Sequence, residues 1–160
     1  MNILIAYAGK TGTTEKCAKI LEEKLENVTI SDLVCETPDI NGYDIVIVGG
    51  SIRIGMIHPK AKQFINNNKE ILLNKKVAYY ICCGFSGECE KYFKENIDNE
   101  LLDRSVIYNT FGGEMDMEKQ KGMEKLIVKL VNKTTKDKEE KIEILHDNIN
   151  NFIDKIKNVK

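Results

Sequence analysis

Short β-branched runs alternate with stretches of helical periodicity along this chain, and the alternation repeats five times. The runs 2–7, 28–33, 43–50, 76–83 and 105–110 predict strands. Ile45-Val46-Ile47-Val48 and Val77 to Cys82 are apolar without a break, so these two strands are expected at the centre of a sheet covered on both faces. Cys17, Ala18, Leu21 and Leu25 form a first helical stripe, and Ala61, Phe64 and Ile65 a second, opened by Pro59 at a favoured first helical position. Tyr92, Phe93, Ile97 and Leu101 form a third stripe; Met123, Leu126, Ile127 and Leu130 form a fourth. Ile142, Leu145, Ile149, Phe152, Ile153 and Ile156 form the last. Strand-helix units of this length in 160 residues predict one α/β domain built on a doubly wound parallel sheet. The charged segment 132–141 reads as a solvated linker between the last two stripes, with its own i,i+4 pairs such as Asp137 with Lys141.

The first strand runs directly into Ala8-Gly9-Lys10-Thr11-Gly12-Thr13-Thr14-Glu15, where the first helix begins. Backbone N–H groups at a helix start, with clustered hydroxyls and glycines that admit close approach, make a phosphate cradle. Gly9-Lys10-Thr11 looks like the tail of a nucleoside-triphosphate loop, but that motif needs a glycine where this chain has Leu4, inside the strand. The dinucleotide fingerprint fails as well, because no third glycine follows Gly9 and Gly12 at the required spacing. The remaining reading is a loop for a single phosphate monoester.

Positions 9–14, Gly-Lys-Thr-Gly-Thr-Thr, resemble the first loop of the flavodoxin family, roughly T/S-x-T-G-x-T, which holds the phosphate of FMN. Thr11, Gly12 and Thr14 match, while Gly9 stands where the family carries a hydroxyl. The resemblance implies a flavodoxin-like five-stranded sheet of order 2-1-3-4-5, with the cofactor beyond the carboxyl ends of strands 1 and 3, where strand order reverses. A receiver domain of the same topology needs acidic residues at these strand ends; Ala8-Gly9 and Gly49-Gly50 exclude that chemistry.

The resemblance also implies two further loops against the flavin ring. Ser51, Ile52, Arg53, Ile54 and Gly55 follow the third strand, with Gly50 and Gly55 expected to supply unusual backbone dihedrals. Cys83, Gly84 and Phe85 follow the fourth, and Phe85 is the aromatic candidate for stacking in a chain without tryptophan. Gly50-Ser51-Ile52-Arg53-x-Gly55-x-x-His58, continuing into Lys60-Ala61-Lys62-Gln63-Phe64-Ile65, resembles the second loop of flavodoxin-like, quinone-linked protoporphyrinogen oxidases. That family typically carries a longer basic insertion after the fourth strand, where this chain has a short segment with Glu88 and Glu90.

With 24 basic and 25 acidic residues, no field favours nucleic acid. No apolar stretch approaches a membrane span or a secretory leader, so a cytoplasmic protein is expected. Five cysteines without C-x-x-C spacing fit a reducing compartment and read mainly as core residues, with Cys83 and Cys89 singled out because they flank the third loop. The two histidines, His58 and His146, lack a second ligand at metal spacing. The function expected is an FMN-binding, flavodoxin-like electron carrier exchanging electrons with a partner protein or a small-molecule donor or acceptor. The alternatives are an FMN-dependent protoporphyrinogen oxidase and a cofactor-free binding module.

Overall fold

A computed structural model describes residues 1–84, 86–114 and 143–159. Strands β1 (Ile3–Ala8), β2 (Val28–Asp32), β3 (Ile45–Arg53), β5 (Lys76–Cys82) and β6 (Ile107–Thr110) form a parallel path in the order β2-β1-β3-β5-β6. This is the predicted 2-1-3-4-5 once β4 (Met56–Ile57), a two-residue sixth strand antiparallel to the end of β3, is set aside. Register aligns the carboxyl ends that matter: Ala8 lies beside Gly50, and Ser51 beside Cys82.

The pleat sends alternate residues to opposite faces, and each face finds its own helices. Ile3, Ile5, Tyr7, Ile45, Ile47, Ala78 and Tyr80 pack with Cys17, Ala18 and Leu21 of α1 (Thr13–Lys24) and with Ile149, Phe152, Ile153 and Ile156 of α6 (His146–Lys157). Leu4, Ala6, Ala8, Val46, Val48, Val77, Tyr79 and Ile81 pack on the other face. Their partners are Ala61, Phe64 and Ile65 of α2 (Pro59–Asn67), Leu72 of α3 (Lys69–Leu72), Phe93 of α4 (Cys89–Asn96), and Leu101 and Leu102 of α5 (Asn99–Arg104). Each fully buried aliphatic side chain contributes about 1.5–3 kcal/mol, which is why both central strands are apolar on both faces.

Each predicted strand shifts at one or both ends by one to three residues, and three differences from the sequence reading bear on packing. β3 starts at Ile45 rather than Tyr43 and continues to Arg53, because Ile52 and Arg53 pair with Ile57 and Met56. The third stripe is divided between α4 and α5. Ile97 is extended there, and the Asp98 carboxylate accepts the Glu100 N–H at 2.9 Å to cap a new helix. In the last stripe, Leu145 sits at the N-cap of α6 rather than inside it. The fourth stripe, Ile142, the 132–141 linker and Phe85 lie outside the described residues. Among the described residues, no helix is long and apolar enough to cross a membrane.

Candidate functional site

The chain leaves β1 at Ala8 and enters α1 at Thr13, with Gly12 as the N-cap at φ +92°. That left-handed conformation suits glycine. The N-cap glycine has no side chain to cap this helix start, and the first intrahelical bond from the N-cap runs from Lys16 N–H to the Gly12 carbonyl at 2.9 Å. The amides of the first turn therefore end at the carboxyl edge of the sheet with the positive pole of the helix behind them. Of the predicted loop residues, Lys10 and Gly12 are exposed, Gly9 and Thr11 are half-buried, and Thr13 and Thr14 are buried.

Thr14 is only 1% exposed. A Cβ at Gly9 would lie 2.7 Å from both Thr14 Cβ and Oγ1, so Thr14 fills the space that a hydroxyl residue would need at position 9. The Thr14 carbonyl accepts the Tyr80 hydroxyl at 2.9 Å, and the Thr14 hydroxyl lies beside the Gly9 backbone. Thr14 thus stands at the start of α1, against the loop to which sequence reading assigned its hydroxyl.

Tyr80 was missed as part of the site because it lies within an unbroken apolar run. Its side chain crosses β3 to reach α1, and a Cβ on Gly49 would come within 2.0 Å of the Tyr80 Cζ and 2.3 Å of its Oη. Phe111 stacks on the Tyr80 ring at 4.7 Å and 12°, and Phe152 meets it edge-on at 6.5 Å. Gly49 is thus a close-approach position that lets one tyrosine tie β5 to the start of α1.

The second predicted loop is a hairpin. Ile52 pairs with Ile57 and Arg53 with Met56, and the His58 N–H donates to the Ser51 carbonyl at 2.9 Å. Ile54 and Gly55 form its two-residue turn with φ +50° and +74°, the signs of a type I′ turn. Gly50 does not have the unusual dihedral expected of it; it lies in the strand, and the Ile57 side chain occupies the place of its Cβ at 2.4 Å. Ile54, at 86% exposure, and Met56 project from the tip. Asn96 of α4 holds the hairpin from behind: its Oδ1 accepts Ile57 N–H at 2.9 Å, and its Nδ2 donates to the Gly55 and Tyr92 carbonyls at 2.8 Å each. An asparagine on the apolar stripe of Tyr92 and Phe93 was the available signal for this role. Ser51 carries a buried hydroxyl with no hydrogen-bonding partner among the described residues.

After β5, the Cys83 N–H donates to the Gly112 carbonyl at 2.8 Å, and the position of a Cβ on Gly113 lies 3.1 Å from the Cys83 carbonyl group. Gly84 follows, half-buried. The Cys83 and Cys89 sulfur atoms stand 3.3 Å apart.

Charge on this edge is uneven. Burial lowers the His58 pKa first, and Lys10, Arg53 and Lys60 push it the same way, against Asp32. The His58 Nδ1 accepts the Lys60 N–H at 3.3 Å as the N-cap of α2. On the β2 side, burial and then Asp32 raise Tyr7. Among the described residues, no group of three His, Cys, Asp or Glu side chains could hold a metal ion.

A family model for the flavodoxin domain matches residues 4–141. The chain belongs to the flavodoxin domain family. Over 85 residues it is 29% identical to protoporphyrinogen IX dehydrogenase (quinone) of Escherichia coli, a match spanning 50% of this chain and 47% of the relative. The chain thus spans about half the length of the curated relatives it matches. A Lactobacillus acidophilus flavoprotein solved in complex with FMN superposes at a TM-score of 0.55 with 15% identity, covering 68% of this chain and 92% of that one. A flavo-di-iron protein of Thermotoga maritima superposes at 0.54 with 18% identity, covering 83% of this chain and 36% of that one. At these identities the flavoprotein structures share the flavodoxin fold with this domain.

Proposed function

We propose that this chain binds FMN at the β1–β3 edge and carries electrons between redox partners in the cytoplasm, the partner being a protein or a small-molecule donor or acceptor. The observation that carries the reading is the uncapped start of α1 behind a glycine- and threonine-lined loop, at the switch point of a flavodoxin-domain sheet. The unpartnered Ser51 hydroxyl on the neighbouring strand end is a second polar group suited to a ligand. When bound, FMN supplies one- and two-electron chemistry. Gly9, Lys10, Thr11, Gly12, Thr13 and Thr14 would hold its phosphate through backbone amides and threonine hydroxyls. Ser51, Ile52, Arg53, Ile54 and Gly55 would line the ring on one side, and Cys83, Gly84 and Phe85 on another. Lys10 and Arg53 place positive charge where an anionic cofactor is to be accommodated.

Titration of the purified chain with FMN, riboflavin and FAD tests this reading. FMN is expected to bind at least about a hundredfold more tightly than riboflavin, because charge-assisted phosphate contacts contribute about 1.5–3 kcal/mol each. FAD should show no advantage. Thr11→Val should weaken FMN and leave riboflavin unchanged, since only the phosphate loses a donor. Equal affinity for FMN and riboflavin would remove the phosphate assignment; a colourless chain that ignores all three flavins would make it a cofactor-free binding module.

A second reading, porphyrinogen oxidation coupled to quinone reduction, is favoured by the 85-residue match to the E. coli dehydrogenase. Quinone-dependent consumption of protoporphyrinogen by the FMN-loaded chain decides between the two.

A further inference from the structure

Cys83 is the first residue beyond β5, Cys89 is the first residue of α4, and their sulfur atoms lie 3.3 Å apart. A disulfide needs about 2.05 Å, so the atoms must close by about 1.3 Å, a distance within reach of small χ1 adjustments. The backbone is held on both sides of the pair. The Cys83 N–H is bonded to Gly112, and α4 is tied to the β3–β4 hairpin through Asn96. Gly87 and Glu88, which precede Cys89, are exposed, while the thiols are 5% and 9% exposed.

A second close pair offers an internal comparison. Cys82 donates to the Cys17 sulfur at 3.8 Å on the opposite face of the sheet. Cys17 is fully buried under α1, and the hydrogen bond to Cys17, followed by burial, pushes the Cys82 thiol well up. Thiolate formation is opposed there, and thiolate is the species that attacks a disulfide. Proximity favours oxidation at both pairs; the shorter separation, 3.3 Å against 3.8 Å, and the partial exposure of Cys89 against the full burial of Cys17 favour the pair at 83 and 89.

We propose that Cys83 and Cys89 form a reversible intramolecular disulfide by exchange with a low-molecular-weight disulfide, R–S–S–R. Cys89 is the more exposed thiol and sits where the N-terminal dipole of α4 supports an anion. Its thiolate attacks one sulfur of the reagent, forming a Cys89–S–S–R bond and releasing RS⁻. The Cys83 thiolate then attacks the Cys89 sulfur, forming the Cys83–Cys89 bond and releasing the second RS⁻. Two electrons pass from the protein dithiol to the reagent, and the two thiol protons leave to solvent or to the released thiolates. No flavin takes part, so the exchange is independent of the proposed cofactor. The bond covalently joins the residue after β5 to the first residue of α4.

The test treats the full folded chain carrying Cys35→Ser, which removes the exposed thiol that would form its own mixed disulfide, with oxidised glutathione or cystamine, alkylates the remaining thiols after denaturation, and reads intact mass. Two of the four thiols left should resist alkylation, the mass should fall by two hydrogens, and dithiothreitol should reverse both effects. Cys83→Ser should arrest at a mixed disulfide on Cys89, adding one R–S group. Cys89→Ser should give neither product. Cys82→Ser and Cys17→Ser, added to the Cys35→Ser chain, should still form the disulfide, and cooperative urea unfolding verifies that each variant is folded. Four alkylatable thiols in the treated Cys35→Ser chain overturn the proposal, as do a reaction of that chain that stops at the mixed disulfide and protection that persists when Cys89→Ser is added to it.

Discussion

The crossing of β3 by Tyr80 makes Gly49→Ala the sharpest perturbation of the fold near the site. The new methyl would lie 2.0 Å from Tyr80 Cζ and 2.3 Å from Cε1 and Oη, far inside van der Waals contact. The ring has little room to retreat, because Phe111 stacks on it at 4.7 Å and Phe152 abuts it edge-on at 6.5 Å. Overpacking of this kind costs about 1–3 kcal/mol. Moving the ring also breaks the 2.9 Å bond from its hydroxyl to the Thr14 carbonyl, about 1 kcal/mol more. The expected loss is about 2–4 kcal/mol in urea unfolding, a substantial part of the stability of an ordinary domain. The decisive assay repeats the substitution in a Tyr80→Leu background. Leucine is too short to cross β3, so Gly49→Ala should cost less than about 1 kcal/mol there, and the cycle should return a coupling above about 1 kcal/mol, as expected for residues in contact. Equal costs in the two backgrounds would refute the argument that glycine is required by the tyrosine.

Ile54→Asn should stabilise the chain by about 1 kcal/mol, because a β-branched residue at φ +50° is replaced by one that tolerates the left-handed region and suits a type I′ turn; a lower urea midpoint would contradict this. Asn96→Ala should cost about 2–4 kcal/mol by leaving the Ile57 amide and two carbonyls without their partner, and it should raise amide exchange at residues 51–57 more than in β1; uniform exchange would deny the clamp. His58 has a folded pKa below its ordinary 6.5, so the unfolded chain binds more protons in the window beneath that value. Its contribution is complete above pH 6.5 and is lost as pH falls through the folded pKa, so His58→Gln should flatten the decline of stability from pH 6.5 toward 5. An unchanged slope would show that burial and the nearby cations do not act on this histidine.

Periodicity alone determined that this chain builds a parallel sheet with helices on both faces, since continuous apolar strands and helical stripes bury surface in no other simple arrangement. The loop at 9–14 was legible for the same local reason: glycines and threonines between a strand and a helix define a phosphate-type turn by themselves. What only the tertiary structure decided was which distant residues brace that loop. The Thr14 carbonyl accepts the hydroxyl of Tyr80, a partner 66 residues distant along the chain. Gly49 reads as a flexible strand end and proves to be the gap that Tyr80 fills. Asn96 and Ile57, and the sulfurs of Cys17 and Cys82, become neighbours only when α4 and α1 pack on their faces of the sheet. Local pattern specifies which face a residue takes, because that depends on its own period. Contacts across strands depend on register and on the rotamers of residues far apart in sequence, and those are settled when the core closes.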